Sequence, residues 1–251
     1  MPRRTHIDIA RLRALDACED VEQLSDAINR LLAPLHIAHW YYAVDLPLVN
    51  EHPNQLHFGT YPDEWVKYYF EQDFIRIDPV ISHCHDRAVP LTWQEAQRMS
   101  ARVVDPQLHR IRRLFNEARE AGLGSGISIP LHGPGVTWGL MSYASPNLEE
   151  RDFVALLPEL HLLAHFVHEA ARRIGRATVG ETLPTLTRRE RECLAWAAAG
   201  KTSWEIGQVL NISERTAIFH LQNATQKLGV SGRQAAIARA VQLGLVVSPR
   251  V

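Results

Sequence analysis

Between residues 187 and 234 one short pattern opens a helical stretch three times: Thr187-Arg188-Arg189-Glu190, Thr202-Ser203-Trp204-Glu205 and Ser231-Gly232-Arg233-Gln234. In such a capping box the hydroxyl accepts from the backbone N–H three residues on, and the Glu or Gln answers the first residue's own N–H. A helix start otherwise leaves its first four N–H groups without partners. Ser213 offers a single cap, and Gly200, Asn211 and Gly229 supply the stops. The reading is four short helices, the last three closing at Leu210, Leu228 and Leu243, with Asn211-Ile212 as a tight turn between the second and third. That arrangement is a helix-turn-helix.

The third helix divides cleanly. Ala217, Leu221, Ala224 and Leu228 fall on one buried stripe. The opposite face carries Glu214, Arg215, Ile218, Gln222, Asn223 and Gln226. Gln and Asn pair with adenine edges, Arg with guanine, and an apolar group meets the thymine methyl. Lys201 and Lys227, with Arg189 and Arg191, are the candidates for phosphate contacts. Any surface helix needs a polar outside, so the chemistry counts because it lies on the helix that follows the turn. Charge agrees. Residues 1–180 carry 18 Lys and Arg against 23 Asp and Glu, a net of −5, while residues 181–251 carry 9 against 5, a net of +4. A basic end on an acidic body points that end at a polyanion.

The longer first part alternates helices and strands. Val21–Leu32 has helical spacing, His39–Val44 is aromatic and β-rich, and Tyr61, Trp65, Tyr68 and Tyr69 share one face of a short helix after Pro62. Asp105-Pro106 opens a helix that Gly122 stops. Gly126–Leu131 and Thr137–Ala144 make a hairpin across His132-Gly133-Pro134-Gly135, and Asn147–Arg176 is a long helical region interrupted by Pro158. The fold class is therefore α+β: an N-terminal α/β/α sandwich over residues 1–175, a linker over 176–184, and an all-α four-helix domain over 185–251.

Residues from Leu186 through Arg233, including Glu190, Leu194, Gly200, Glu205, Ser213-Glu214-Arg215-Thr216, Asn223 and Lys227-Leu228-Gly229, closely resemble the DNA-binding domain of LuxR-type regulators. The resemblance implies that Glu190, Leu194 and Gly200 hold the domain together. It places Lys201, Arg215, Thr216, Ile218, Gln222, Asn223 and Lys227 at DNA. The chain departs from the family at Ala217-Ile218, where Val and a polar or basic residue are usual.

A second block resembles the autoinducer-binding domain of the same regulators: Tyr61-Pro62-Asp63-Glu64-Trp65, Tyr69, Asp78-Pro79-Val80, Trp93 and Gly139-Leu140-Met141-Ser142. The resemblance implies an N-acyl-homoserine lactone as ligand. Trp65 would donate to the lactone carbonyl, Asp78 accept from the amide N–H, and Tyr61 meet the amide carbonyl. Trp93 would pack on the ring, Tyr69 line the acyl channel, and Ser142 make a further polar contact at the head of the chain. Val80 stands where some relatives carry a hydroxyl. The implied function is a quorum-sensing transcriptional regulator acting as a homodimer on an inverted-repeat DNA operator, with RNA polymerase as a further partner. An orphan regulator that binds DNA without ligand, or answers another small molecule, stays open.

Other chemistries find little footing. Cys18, Cys84 and Cys193 form no CxxC pair, so neither a disulfide framework nor a cysteine zinc site is expected. His161, His165 and His168 lie at helical spacing but without an ordered fourth ligand, so no metal and no cofactor is expected. Gly122-Leu123-Gly124-Ser125-Gly126 fits neither a nucleophile elbow nor a dinucleotide loop, and no catalytic residue is assigned. No apolar run is long enough to span a bilayer and no signal peptide opens the chain, so the expected location is cytoplasmic, without membrane contact.

Overall fold

The computed structural model describes residues 7–46, 54–102, 107–133, 137–178 and 183–247. Contacts divide the chain into two compact units, the first ending at Gly175 and the second having Arg176–Val251 as its main body.

The first unit is built on a five-stranded sheet in the order β2-β1-β5-β4-β3. Ahead of it come α1 (Ile9–Arg13) and α2 (Val21–Leu32), the latter capped by the Asp20 side chain on the Gln23 N–H. Strands β1 (His39–Leu46) and β2 (Asn54–Gly59) follow, then α3 (Asp63–Glu71), α4 (Pro79–Asp86), β3 (Leu91–Thr92), α5 (Trp93–Arg102) and α6 (Leu108–Glu120). The antiparallel pair β4 (Ser125–His132) and β5 (Trp138–Ser145) leads into α7 (Glu150–Thr178).

Alternation along the central strands sends side chains to two different layers. On one face, Trp40 donates its indole N–H to Asn29 of α2 at 2.7 Å, and the Tyr143 hydroxyl donates to the Leu160 carbonyl of α7 at 3.0 Å. The Tyr42 hydroxyl shares a 2.8 Å bond with His168 Nδ1 on the same face. Tyr41, Ala43, Leu140 and Ser142 point the other way, toward α3, α4 and α6, where they line a cavity. This is the expected α/β/α sandwich.

Some local expectations are revised. Pro158 does not interrupt α7, which runs unbroken for 29 residues. Pro158 is on the exposed side of the helix, as is Val154, whose carbonyl loses its N–H partner there and faces solvent. Residues 176–178, expected in the linker, continue this helix, and residues 179–182 lie outside the described residues. The hairpin turn at Pro134-Gly135 and the Asp105-Pro106 helix opening also lie outside them. Strands β2 and β3 were not expected from the sequence.

The second unit contains α8 (Arg188–Ala198), α9 (Ser203–Leu210), α10 (Glu214–Lys227) and α11 (Arg233–Gln242). The boxes at Thr187/Glu190 and Thr202/Glu205 are both reciprocal, and Ser213 caps α10 on the Thr216 N–H. The Ser231 box does not form: the residue ahead of α11 is Gly232, with φ +87° and no side chain to cap with. Ala217, Leu221, Ala224 and Leu228 are buried beside Leu194 and Ile206, as their spacing requires.

Candidate functional site

The cavity of the first unit lies between the sheet and α3, α4 and α6, with a volume of about 150 Å³. Its walls are mostly apolar, with Val80, Leu114, Phe115 and Leu140 among them. Five of the six expected ligand residues, Tyr61, Trp65, Tyr69, Asp78 and Trp93, come from the helical side, and the sixth, Ser142, comes from β5. All six line this one space, although they are spread over 82 positions of the chain.

Local structure explains their aim. Asp78 caps α4, with Pro79 in its first turn, and Oδ1 accepts the Val80 N–H at 2.8 Å. Oδ2 accepts the Tyr69 hydroxyl at 2.9 Å. Tyr69 therefore lines the cavity with its ring while its hydroxyl is committed to the acid. Burial raises the Asp78 carboxyl to about 6, against the opposing pull of the Val80 N–H and the Tyr69 hydroxyl. At neutral pH the cavity thus holds an enclosed carboxylate with lone pairs to spare.

The Tyr61 hydroxyl is also enclosed and makes no hydrogen bond. Burial holds its phenol well above the usual range, only partly opposed by the nearby Ser142 hydroxyl, which is not in bonding geometry with it. A buried, unmet hydroxyl costs stability unless a ligand meets it. Trp65, 7% exposed, stacks edge-on against Tyr69.

Trp93 opens α5 and sits over Gly126, where a Cβ would fall 2.6 Å from its ring. Its indole N–H is directed away from the cavity, donating to Ser128 Oγ at 3.1 Å. Ser128 in turn lies 2.7 Å from Ser142 Oγ. Ser128 was not singled out from the sequence. The signal was present as alternation, since Ser128 and Ser142 are register partners on one face of the hairpin, but reading it requires the strand pairing.

The histidine trio separates. His168 is 5% exposed and stays neutral, its pKa brought down to about 3 first by burial and then by Arg172. His161 and His165 meet edge to face on the outer part of α7. Among the described residues no group of three or more His, Cys, Asp or Glu side chains could hold a metal ion, and no described helix is long and apolar enough to cross a membrane.

In the second unit, Arg215, Ile218 and Gln222 are exposed on α10, with Thr216 and Asn223 half-buried beside them. Thr216 Oγ1 is 2.7 Å from Ser213 Oγ at the helix start. Lys201 pairs loosely with Glu205 at 3.5 Å. Lys227, expected at a phosphate, donates to Glu190 Oε2 at 2.8 Å and keeps its side chain partly exposed. Glu190 is 3% exposed and also accepts the Thr187 N–H. Burial alone would raise its carboxyl, but the bonds from Lys227 and the Thr187 backbone outweigh burial and hold it low. Leu194 is fully buried, and Gly200 adopts φ +85°, a conformation that favours glycine.

A cavity with polar groups set in apolar walls, carried on one chain with a helix-turn-helix, is the plan of a small-molecule-responsive transcriptional regulator. The chain matches the autoinducer binding domain over residues 20–171 and the luxR family of bacterial regulatory proteins over residues 184–240. It belongs to the LuxR family, a non-enzymatic family of quorum-sensing regulators. It is 32% identical over 231 residues to the transcriptional activator protein AhyR of Aeromonas hydrophila, covering 91% of this chain and 87% of that one. The crystal structure of Escherichia coli SdiA is similar with a TM-score of 0.68 at 26% identity, covering 95% of this chain and 97% of SdiA. SdiA in complex with octanoyl-rac-glycerol gives 0.66 at 25% identity, covering 94% of each chain.

Proposed function

We propose that the chain binds an N-acyl-homoserine lactone through residues 1–175 and, as a homodimer, an inverted-repeat operator through residues 185–251, with residues 176–184 as linker. The observation that carries the ligand reading is the pairing of an enclosed carboxylate, Asp78, with an enclosed and unpartnered hydroxyl, Tyr61, in one apolar cavity. A secondary amide has both complements: an N–H for the acid and a carbonyl for the phenol. Trp65 and Ser142 add donors for the remaining oxygens, Trp93 a flat apolar wall for the ring, and the ring of Tyr69 a side of the acyl channel.

A ligand that binds only the folded state stabilises it by mass action. Ordering the first unit would favour the dimer and set two copies of α10 about one DNA turn apart. Lys201, Arg215, Thr216, Ile218, Gln222, Asn223 and Lys227 are the proposed DNA-facing residues, and RNA polymerase is the further partner for regulation.

The test is the melting temperature of the full chain with a panel of N-acyl-homoserine lactones of increasing chain length, for wild type and Asp78→Ala. A shift that peaks at one length and is absent in the variant is expected. A second reading, an orphan regulator answering another small molecule, is favoured by SdiA's complex with octanoyl-rac-glycerol, a glycerol ester without an amide N–H. The same assay with octanoylglycerol distinguishes it, because the second reading expects a shift with octanoylglycerol and none with any lactone of the panel in wild type.

A further inference from the structure

Ser128 is fully buried and does not line the cavity, yet it stands between two groups that do. The direction of its bonds follows from counting protons. An indole N–H only donates, so Ser128 Oγ accepts from Trp93 at 3.1 Å. Between Ser128 and Ser142, 2.7 Å apart, either oxygen could accept. If Ser142 donated, Ser128 would accept twice and its own proton would face a buried surrounding with no acceptor. If Ser128 donates, the proton left over is that of Ser142, which lines the cavity and can meet a ligand there. Leaving a buried donor unmet is the costlier choice, so the chain runs Trp93 to Ser128 to Ser142 and ends at the cavity.

We propose that Ser128 is a positioning residue that fixes the direction of the Ser142 proton, making Ser142 a donor to a carbonyl at the head of the ligand's acyl chain. This rests on the lactone reading above. It adds a specificity rule: the site takes ligands that place a hydrogen-bond acceptor against Ser142, beside the Tyr61 hydroxyl, and disfavours those that place a donor there.

The experiment is calorimetric titration of the full chain with the panel lactone that wild type binds most tightly, across Ser142→Ala, Ser128→Ala and the double variant. Losing one hydrogen bond weakens binding about tenfold. Ser142→Ala and Ser128→Ala are each expected to show that loss, and the double variant to bind no more weakly than Ser142→Ala alone. Ser128→Thr, which keeps the hydroxyl, restores binding. Trp93→Phe keeps a ring but removes the indole donor. It frees Ser128 to accept from Ser142, and binding falls toward the Ser142→Ala level with both serines intact. Made in wild type and again in Ser142→Ala, this variant carries the test should Ser128→Ala fail to fold: the part of its loss that runs through the Ser142 hydroxyl disappears in the second background, whereas the loss from a changed wall does not. If Ser128→Ala costs the same factor with and without the Ser142 hydroxyl, or costs nothing, Ser128 merely fills space and the proposal is overturned. If wild type binds no member of the panel, the lactone reading itself fails, a result visible before any variant is made.

Discussion

Replacing Asp78 by Asn probes the cost of holding a charge inside the cavity. Burial lifts the Asp78 carboxyl from 3.8 to about 6. At about 1.4 kcal/mol per pKa unit, the ionised side chain destabilises the ligand-free fold by about 3 kcal/mol at pH 7. The sign follows from the raised folded value. The native state holds the proton more tightly than the unfolded chain, so this group favours folding increasingly as pH falls through 6, levelling off below 3.8. Asn keeps the shape: its oxygen can accept the Val80 N–H, and its amide can donate to the Tyr69 oxygen. Allowing about 1 kcal/mol for weaker bonds, the ligand-free variant gains about 2 kcal/mol at pH 7, or about 4–8 °C in melting temperature. The assay is scanning calorimetry of the full chain without ligand at neutral and mildly acidic pH, following the transition that lactone shifts in wild type. The gain should shrink on acidification, because wild type sheds its penalty and Asn has none to shed. Lactone should stabilise wild type and barely affect the variant, whose amide presents N–H to N–H. A variant less stable than wild type by the same amount at both pH values would refute the reasoning.

In the second unit, Glu190→Gln should cost about 1–3 kcal/mol, read as a lower melting transition of the helical domain. Wild type should itself lose that increment as pH falls through the depressed range of the Glu190 carboxyl, while the Gln variant shows no such slope. Gly126→Ala places a methyl 2.6 Å from the Trp93 ring and 2.7 Å from the Tyr143 carbonyl, so Trp93 must shift into the cavity. Lactone affinity should fall at least tenfold, measured by titration, with DNA-domain melting unchanged. Gly207→Ala brings a Cβ to 2.8 Å from the Ile212 carbonyl, where α9 meets the turn into α10. Operator binding in a gel-shift assay should weaken while lactone still raises the melting temperature of the first unit.

The helical domain was the more legible half because its signals are local. A capping box is complete within four residues, and Thr187 and Thr202 form theirs with no help from distant contacts. Ser231 shows the limit of that logic: the box motif is present, but Gly232 turns at positive φ and takes the cap position itself. The ligand domain was legible through resemblance, which brought Tyr61, Trp65 and Asp78 into one site, and much less through pattern. Strand β3 is two residues long and carries no periodicity of its own, and it exists because Leu91 and Thr92 pair with Ser128 and Ile127. Ser128 escaped notice for the same reason. Its role depends on a register partner fourteen residues away and on the indole at the start of α5. Pro158 reads locally as a break, but the burial of Phe153, Leu160 and Leu163 holds α7 continuous through it.

The Lys227–Glu190 pair bears on how operator affinity should respond to salt. A lysine free in water brings one positive charge to a phosphate and expels one condensed counterion from the duplex, which is what makes protein–DNA affinity fall with ionic strength. Lys227 reaches the interface already neutralised by a carboxylate on α8. Its approach to DNA expels no ion unless Glu190 is first abandoned, and Glu190 is buried. Among the described basic residues of α8 to α10, Arg191 and Arg215 have no carboxylate partner and are left to contribute full units to the salt slope. Recognition here should depend more on base-edge contacts and less on ionic strength than the count of lysines and arginines implies.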